Sequence, residues 1–108
     1  MPAPSRAQIK INAVNRLAKE HQLYLKELDK YRGQFMELQQ AVGDPYELKK
    51  IRELINETEM MVPRVRSRLD QELQELKQHK GVDDAELKTK VADAIRSCEE
   101  YLAKAKEI

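Results

Sequence analysis

Apolar residues in this chain recur in alternating steps of three and four, and they do so in three separate stretches. The first runs Val14, Leu17, His21, Tyr24, Leu28, Tyr31, Phe35, Leu38 and Val42. The second runs Leu48, Ile51, Ile55, Thr58, Val62, Val65, Leu69, Glu72 and Leu76, widened by Leu54, Met61 and Leu73. The third takes Leu87, Val91, Ala94, Cys98, Tyr101, Ala105 and Ile108, with Ile95 and Leu102 alongside. A seven-residue repeat of this kind lays one narrow seam along a helix, and such a seam is buried by packing against another helix at a shallow angle. A strand, whose faces alternate every two residues, would scatter the same residues over both sides.

Helix boundaries are written between the stretches. Asp44 is a favoured N-cap, Pro45 stands at the first helical position where its missing N–H costs nothing, and Glu47 supplies the acidic end of a capping box. The same grammar occurs at Ser5-Arg6-Ala7-Gln8 and at Asp83-Asp84-Ala85-Glu86, where Val82 and Leu87 hold the positions of a hydrophobic staple. Gly43 and Gly81 are placed to take the left-handed conformation that closes a helix. The spacing predicts helices over 6–42, 45–80 and 84–108, with residues 1–5 as a flexible tail. Connections this short make successive helices antiparallel neighbours. The expected fold is all-α, an elongated antiparallel up-down-up three-helix bundle with coiled-coil-like heptad packing, forming a single domain over residues 1–108.

Two features modify that bundle. At 1.5 Å per residue the first two helices reach roughly 54 Å and the third about 38 Å, so the third leaves part of the hairpin thinly covered. Phe35, Met36, Leu38, Tyr46, Leu48, Ile51 and Leu54 lie in that part, which invites a partner or a second copy of the chain. Pro63 falls inside the second helix, where it removes the hydrogen bond to the Glu59 carbonyl at a cost of roughly 3 kcal/mol. Because Val62, Val65 and Leu69 continue in phase across it, the expectation is one helix kinked at Pro63 and not two.

Composition narrows the function. Charged residues make up 36% of the 108 but the net charge is only +1, which argues against a protein devoted to phosphate neutralisation, so no nucleic acid is expected as partner. The sequence contains no apolar run of membrane-spanning length, and Met1 to Arg16 lacks the apolar core of a secretory signal. Glycine-rich phosphate loops are absent, and no cofactor is expected. His21 and His79 lack a Cys or carboxylate cluster beside them, so no metal site is expected. Cys98 sits on the seam as a small hydrophobe and, being the one cysteine, points to a reducing compartment. Carboxylates pair with bases along helix faces, as in Glu86 with Lys90 and Glu100 with Lys104, which is solvated helix support. No catalytic constellation emerges, and the chain reads as a non-enzyme.

Asp44-Pro45-Tyr46-Glu47-Leu48-Lys49-Lys50, followed by Met60-Met61-Val62-Pro63, resembles the signature of the tubulin-specific chaperone A family, also called tubulin-folding cofactor A. Ile9-Lys10-Ile11, Val14 to Glu20 and Tyr24-Leu25-Lys26-Glu27 resemble it in order and spacing, so the likeness covers most of residues 8 to 70. The third helix agrees in pattern only. The resemblance implies a cytoplasmic, cytoskeleton-associated cochaperone that captures and holds folding intermediates of β-tubulin before αβ heterodimer assembly. Other tubulin-folding cofactors are implied as further partners, with no membrane involved. Tyr46, Lys49, Lys50, Arg52 and Glu53 at the shared motif, with Arg64 and Arg68 beyond the kink, are the expected partner-binding residues. A competing reading is a spectrin-like or adaptor three-helix scaffold. The absence of tryptophan and the capped helix ends weigh against it.

Overall fold

A computed structural model describes residues 5–79 and 84–105. All regular structure among them is helical: α1 spans Arg6–Gln40, α2 Pro45–Gln78 and α3 Ala85–Lys104. The predicted stops at Gly81 and Lys80, the staple residue Val82, Asp83 and the end at Ile108 lie outside the described residues. Ser5 caps α1 as the Ser5-Arg6-Ala7-Gln8 pattern predicts, its hydroxyl oxygen accepting from the Gln8 N–H at 3.1 Å. Asp44 caps α2 and Asp84 caps α3, each carboxylate accepting from the N–H two residues on at 2.9 Å. These bonds satisfy helix-end donors that would otherwise have no partner.

The turn after α1 corrects the sequence reading in two ways. The helix ends at Gln40, so Val42 is not on the seam and stands 91% exposed. Val42 also adopts the left-handed conformation assigned in advance to Gly43, with φ 55°. Its N–H reaches the Gln39 carbonyl at 3.3 Å, and the Gly43 N–H reaches the Leu38 carbonyl at 2.7 Å. That pair of bonds defines a Schellman closure, in which the residue after the cap must be left-handed and the next must approach the helix closely. Gly43 serves the second need: a Cβ there would lie 2.9 Å from the Leu38 carbonyl oxygen. At the other end of the hairpin, α2 stops at Gln78, and His79 is an extended cap, not a member of the last turn.

Pro63 lies inside α2 without ending it. It is exposed, so the Glu59 carbonyl it deprives of a partner is on the side of the helix nearer water. One turn earlier the Thr58 hydroxyl donates back to the Leu54 carbonyl at 2.8 Å, a local bond of the kind that bends helices.

Contacts between helices set their relative order. Lys10 pairs with Glu75 and Arg32 with Glu59, each at 3.0 Å, so positions rise along α1 as they fall along α2. His21 meets Tyr101, and Lys77 meets Glu99 at 3.3 Å. The third helix leans more on α1 than on α2. Principal extents are 62 × 30 × 19 Å and the radius of gyration is 18.6 Å, against about 13 Å for a compact chain of this length. The core gathers Ile11, Val14 and Leu17 of α1, Val65, Leu69, Leu73 and Leu76 of α2, and Ala94 and Cys98 of α3. Each fully buried aliphatic side chain there contributes about 1.5–3 kcal/mol of transfer free energy.

Candidate partner-binding surface

Burial is uneven along the long axis. Where α3 is present, seam residues such as Val14, Leu69 and Leu76 are buried. Toward the Gly43 turn, Tyr31, Phe35 and Leu38 of α1 and Leu48, Ile51 and Ile55 of α2 occupy the same seam and are only half-buried. Two helices can shield a shared seam from one another but leave its flanks open. Met36, Val42, Tyr46 and Leu54 are exposed around this end. The α3 helix, 20 residues and about 30 Å long, is shorter than expected and stops well before the turn.

The transition is marked by a polar cluster. His21, 1% exposed, is joined by a 2.6 Å hydrogen bond from its Nδ1 to the Tyr101 hydroxyl, with the rings edge to face. Arg66, half-buried, pairs with Asp70 at 3.6 Å and stands close enough to influence both partners. Burial, reinforced by the Arg66 charge and partly offset by Asp70, holds the His21 pKa below its ordinary value. Burial pushes the Tyr101 hydroxyl up despite Arg66. Both rings are therefore neutral near pH 7, so no net charge is buried at the junction. Cys98 nearby has its thiol pKa raised, first by burial and then by Asp70 and Glu99, which disfavours the nucleophilic thiolate. An open groove lined by Asn15, Ala18, Lys19 and Ser97 runs beside it. Among the described residues no cluster of His, Cys, Asp and Glu could hold a metal ion, and no helix is long and apolar enough to cross a membrane.

The expected binding residues lie in two groups along α2. Tyr46, 65% exposed, lies beneath the Lys50 ammonium at 5.3 Å, and the Arg52 guanidinium covers the Phe35 ring at 5.2 Å. Lys49 and Glu53 are exposed on the same first turns of α2. Arg64 and Arg68 are exposed as well, but the eleven residues from Glu53 to Arg64 place them roughly 16 Å further along the axis. Lys50 and Arg64 are fourteen positions apart and so share a meridian of the helix. Arg66, two positions from Arg64 and from Arg68 and so on a different side of the helix, is half-buried and turns inward. Its place seven residues before Leu73, already part of the widened stripe, was the signal available.

Residues 2–108 match the family described as Tubulin binding cofactor A. The chain is 30% identical over 105 residues to tubulin-specific chaperone A of Saccharomyces cerevisiae, covering 93% of this chain and 96% of the relative. It is 32% identical over 89 residues to tubulin-specific chaperone A of Bos taurus, covering 79% and 82% respectively. Similarity to tubulin-folding cofactor A of Arabidopsis thaliana reaches 31% over 70 residues, 65% of this chain and 62% of the relative. No solved structure matches. A match across nearly the whole sequence, carried by an all-helical chain of three capped helices, means that the chain belongs to the tubulin binding cofactor A family.

Proposed function

We propose that this chain is a cytoplasmic tubulin-folding cochaperone, which captures folding intermediates of β-tubulin and holds them before αβ heterodimer assembly. The observation that carries this reading is the family match over residues 2–108, with relatives named as tubulin-specific chaperones. The mechanism is holding without catalysis. A protein that binds one conformational state stabilises it by mass action, by about 2.7 kcal/mol when present at a hundred times its Kd. Other tubulin-folding cofactors would receive the client, and at the thinly covered tip the client competes with a second copy of the chain.

The arrangement we propose is one domain, an antiparallel up-down-up bundle with heptad packing, which the cross-helix contacts support, and a second helix bent at Pro63. On it we place the contact surface at Tyr46, Lys49, Lys50, Arg52 and Glu53, extended by Arg64 and Arg68. All seven are exposed. Mixing the purified chain with β-tubulin released from αβ dimers tests the reading, with a discrete complex on native gel and gel filtration as the expected result. Absence of that complex would overturn it. Lys49→Glu with Lys50→Glu is expected to weaken capture while helicity by circular dichroism is unchanged, and full capture by that variant would move the site elsewhere.

A further inference from the structure

We infer that the trough left open beyond the end of α3 is a docking site for an acidic amphipathic helix of the client, lying roughly in line with α3. This rests on the tubulin-capture reading and specifies the contact. Two lines of residues at seven-residue steps define the trough. On α1 the line runs Ile11, Ala18, Leu25, Arg32; on α2 it runs Leu73, Arg66, Glu59, Arg52. At the covered end Ile11, Ala18 and Leu73 join the core that α3 completes, and Arg66 stands beside His21 and Tyr101. Positions in phase with these face the same side of each helix, so Arg32, Glu59 and Arg52 continue the surface on which α3 rests.

Chemistry along those lines changes where α3 stops. Apolar residues give way to arginines, with Glu59 as the one acid on the two lines. Arg32 and Glu59 meet at 3.0 Å and tie the two helices together. Arg52 lies over Phe35 at 5.2 Å, and no carboxylate among the described residues pairs with it. Beneath them Phe35 and Ile55 are half-buried where the equivalent seam positions under α3 are closed. An occupant must therefore cover apolar seam and bring a carboxylate to the Arg52 guanidinium. A helix apolar on one side and acidic along its flanks meets both demands, and from Leu25 to Gln40 the trough accommodates about four turns, roughly 24 Å. A second copy of this chain would set the same arginines against each other, which electrostatic complementarity disfavours.

The test measures capture of β-tubulin by Arg52→Glu, Arg52→Lys and the α3 variant Arg96→Glu, with a photo-crosslinking residue placed at Met36 in the otherwise unchanged chain. Arg52→Glu is expected to weaken the complex at least about tenfold, equivalent to 1.4 kcal/mol. Arg52→Lys should retain most of the affinity and Arg96→Glu should stay within about twofold. Crosslinks from Met36 should map to an acidic helical segment of the client. A complex that forms normally but is indifferent to Arg52→Glu, or whose Met36 crosslinks reach a second copy of this chain, overturns the docking site and leaves the chaperone reading standing. Failure of the unsubstituted chain to form any complex overturns both.

Discussion

Replacing Val42 by glycine should stabilise this protein, which is the opposite of what removing an apolar side chain usually does. Val42 is left-handed, with φ 55°, a conformation that costs an L-residue about 1–2 kcal/mol and is hardest for a β-branched one. Glycine removes that cost but adds freedom to the unfolded chain worth about 0.5–1 kcal/mol. Because Val42 is 91% exposed, almost no burial is lost. The net gain is about 0.5–1 kcal/mol, read as a rise in melting temperature of a few degrees for a chain of this size. Gly43→Ala is the matched control: its new Cβ would sit 2.9 Å from the Leu38 carbonyl oxygen, a backbone atom fixed by the 2.7 Å bond to the Gly43 N–H. Relieving that contact should cost about 1–3 kcal/mol. Thermal and urea unfolding followed by circular dichroism measures both. If Val42→Gly destabilises, the glycine at 43 is the left-handed residue after all and the described closure is wrong.

The His21 pKa is lowered on folding, so the unfolded chain takes up protons first as the pH falls. Stability should be full above the ordinary imidazole value of 6.5, decline as the pH drops from there toward the lowered folded value, and be insensitive to this residue below it. Urea midpoints across pH 7.5 to 5 in the parent and in His21→Gln measure that component, and an equal slope in both would refute it. Tyr101→Phe keeps the ring but leaves the buried His21 Nδ1 without its 2.6 Å partner, and chemical unfolding should show a loss of about 1–3 kcal/mol. Leu69→Ala opens a cavity in the shared core at a site 0% exposed and should cost about 2–5 kcal/mol by the same assay. Arg32→Ala removes an ion pair whose partners are 45% and 39% exposed, so its cost should stay within about 1 kcal/mol, and a larger loss would mean that the pair does more than tie two exposed side chains.

Much of the architecture was legible because burial imposes a period. Seam residues from Val14 to Leu38 and from Leu48 to Leu76 were read directly, since a residue misplaced on a helix face costs transfer free energy whatever its neighbours are. Caps at Ser5 and Asp44 were legible for a similar reason, being answers to unsatisfied backbone donors. The α1 terminus was located, but the helix ends two residues earlier, at Gln40, and the left-handed residue lies one earlier, at Val42. Glycine can serve either the left-handed position or the close-approach position of the closure, and nothing local to Val42-Gly43 says which need is served. Arg66 lies on a different side of α2 from Arg64 and Arg68 and shares helix phase with Leu73, which is why it alone of the three is half-buried. The residues proposed for binding, such as Lys49 and Arg68, are exposed and obey no period, so their grouping depended on distance along α2, which spacing gives, and on the partner, which it does not.

The contact between His21 and Tyr101 spans eighty positions of sequence, in a protein whose other helix pairings are mostly closer in the chain. Translation makes α1 and α2 before α3. Once Leu69 has been polymerised, Tyr101 follows thirty-two residues later, about 2–6 s at ordinary elongation rates. During that interval the hairpin halves can meet, but the side of their seam destined for α3, including Leu73 and the His21 imidazole, faces water. The nascent chain thus passes through a state in which its whole length offers the kind of open two-helix surface that the finished molecule keeps only at one end.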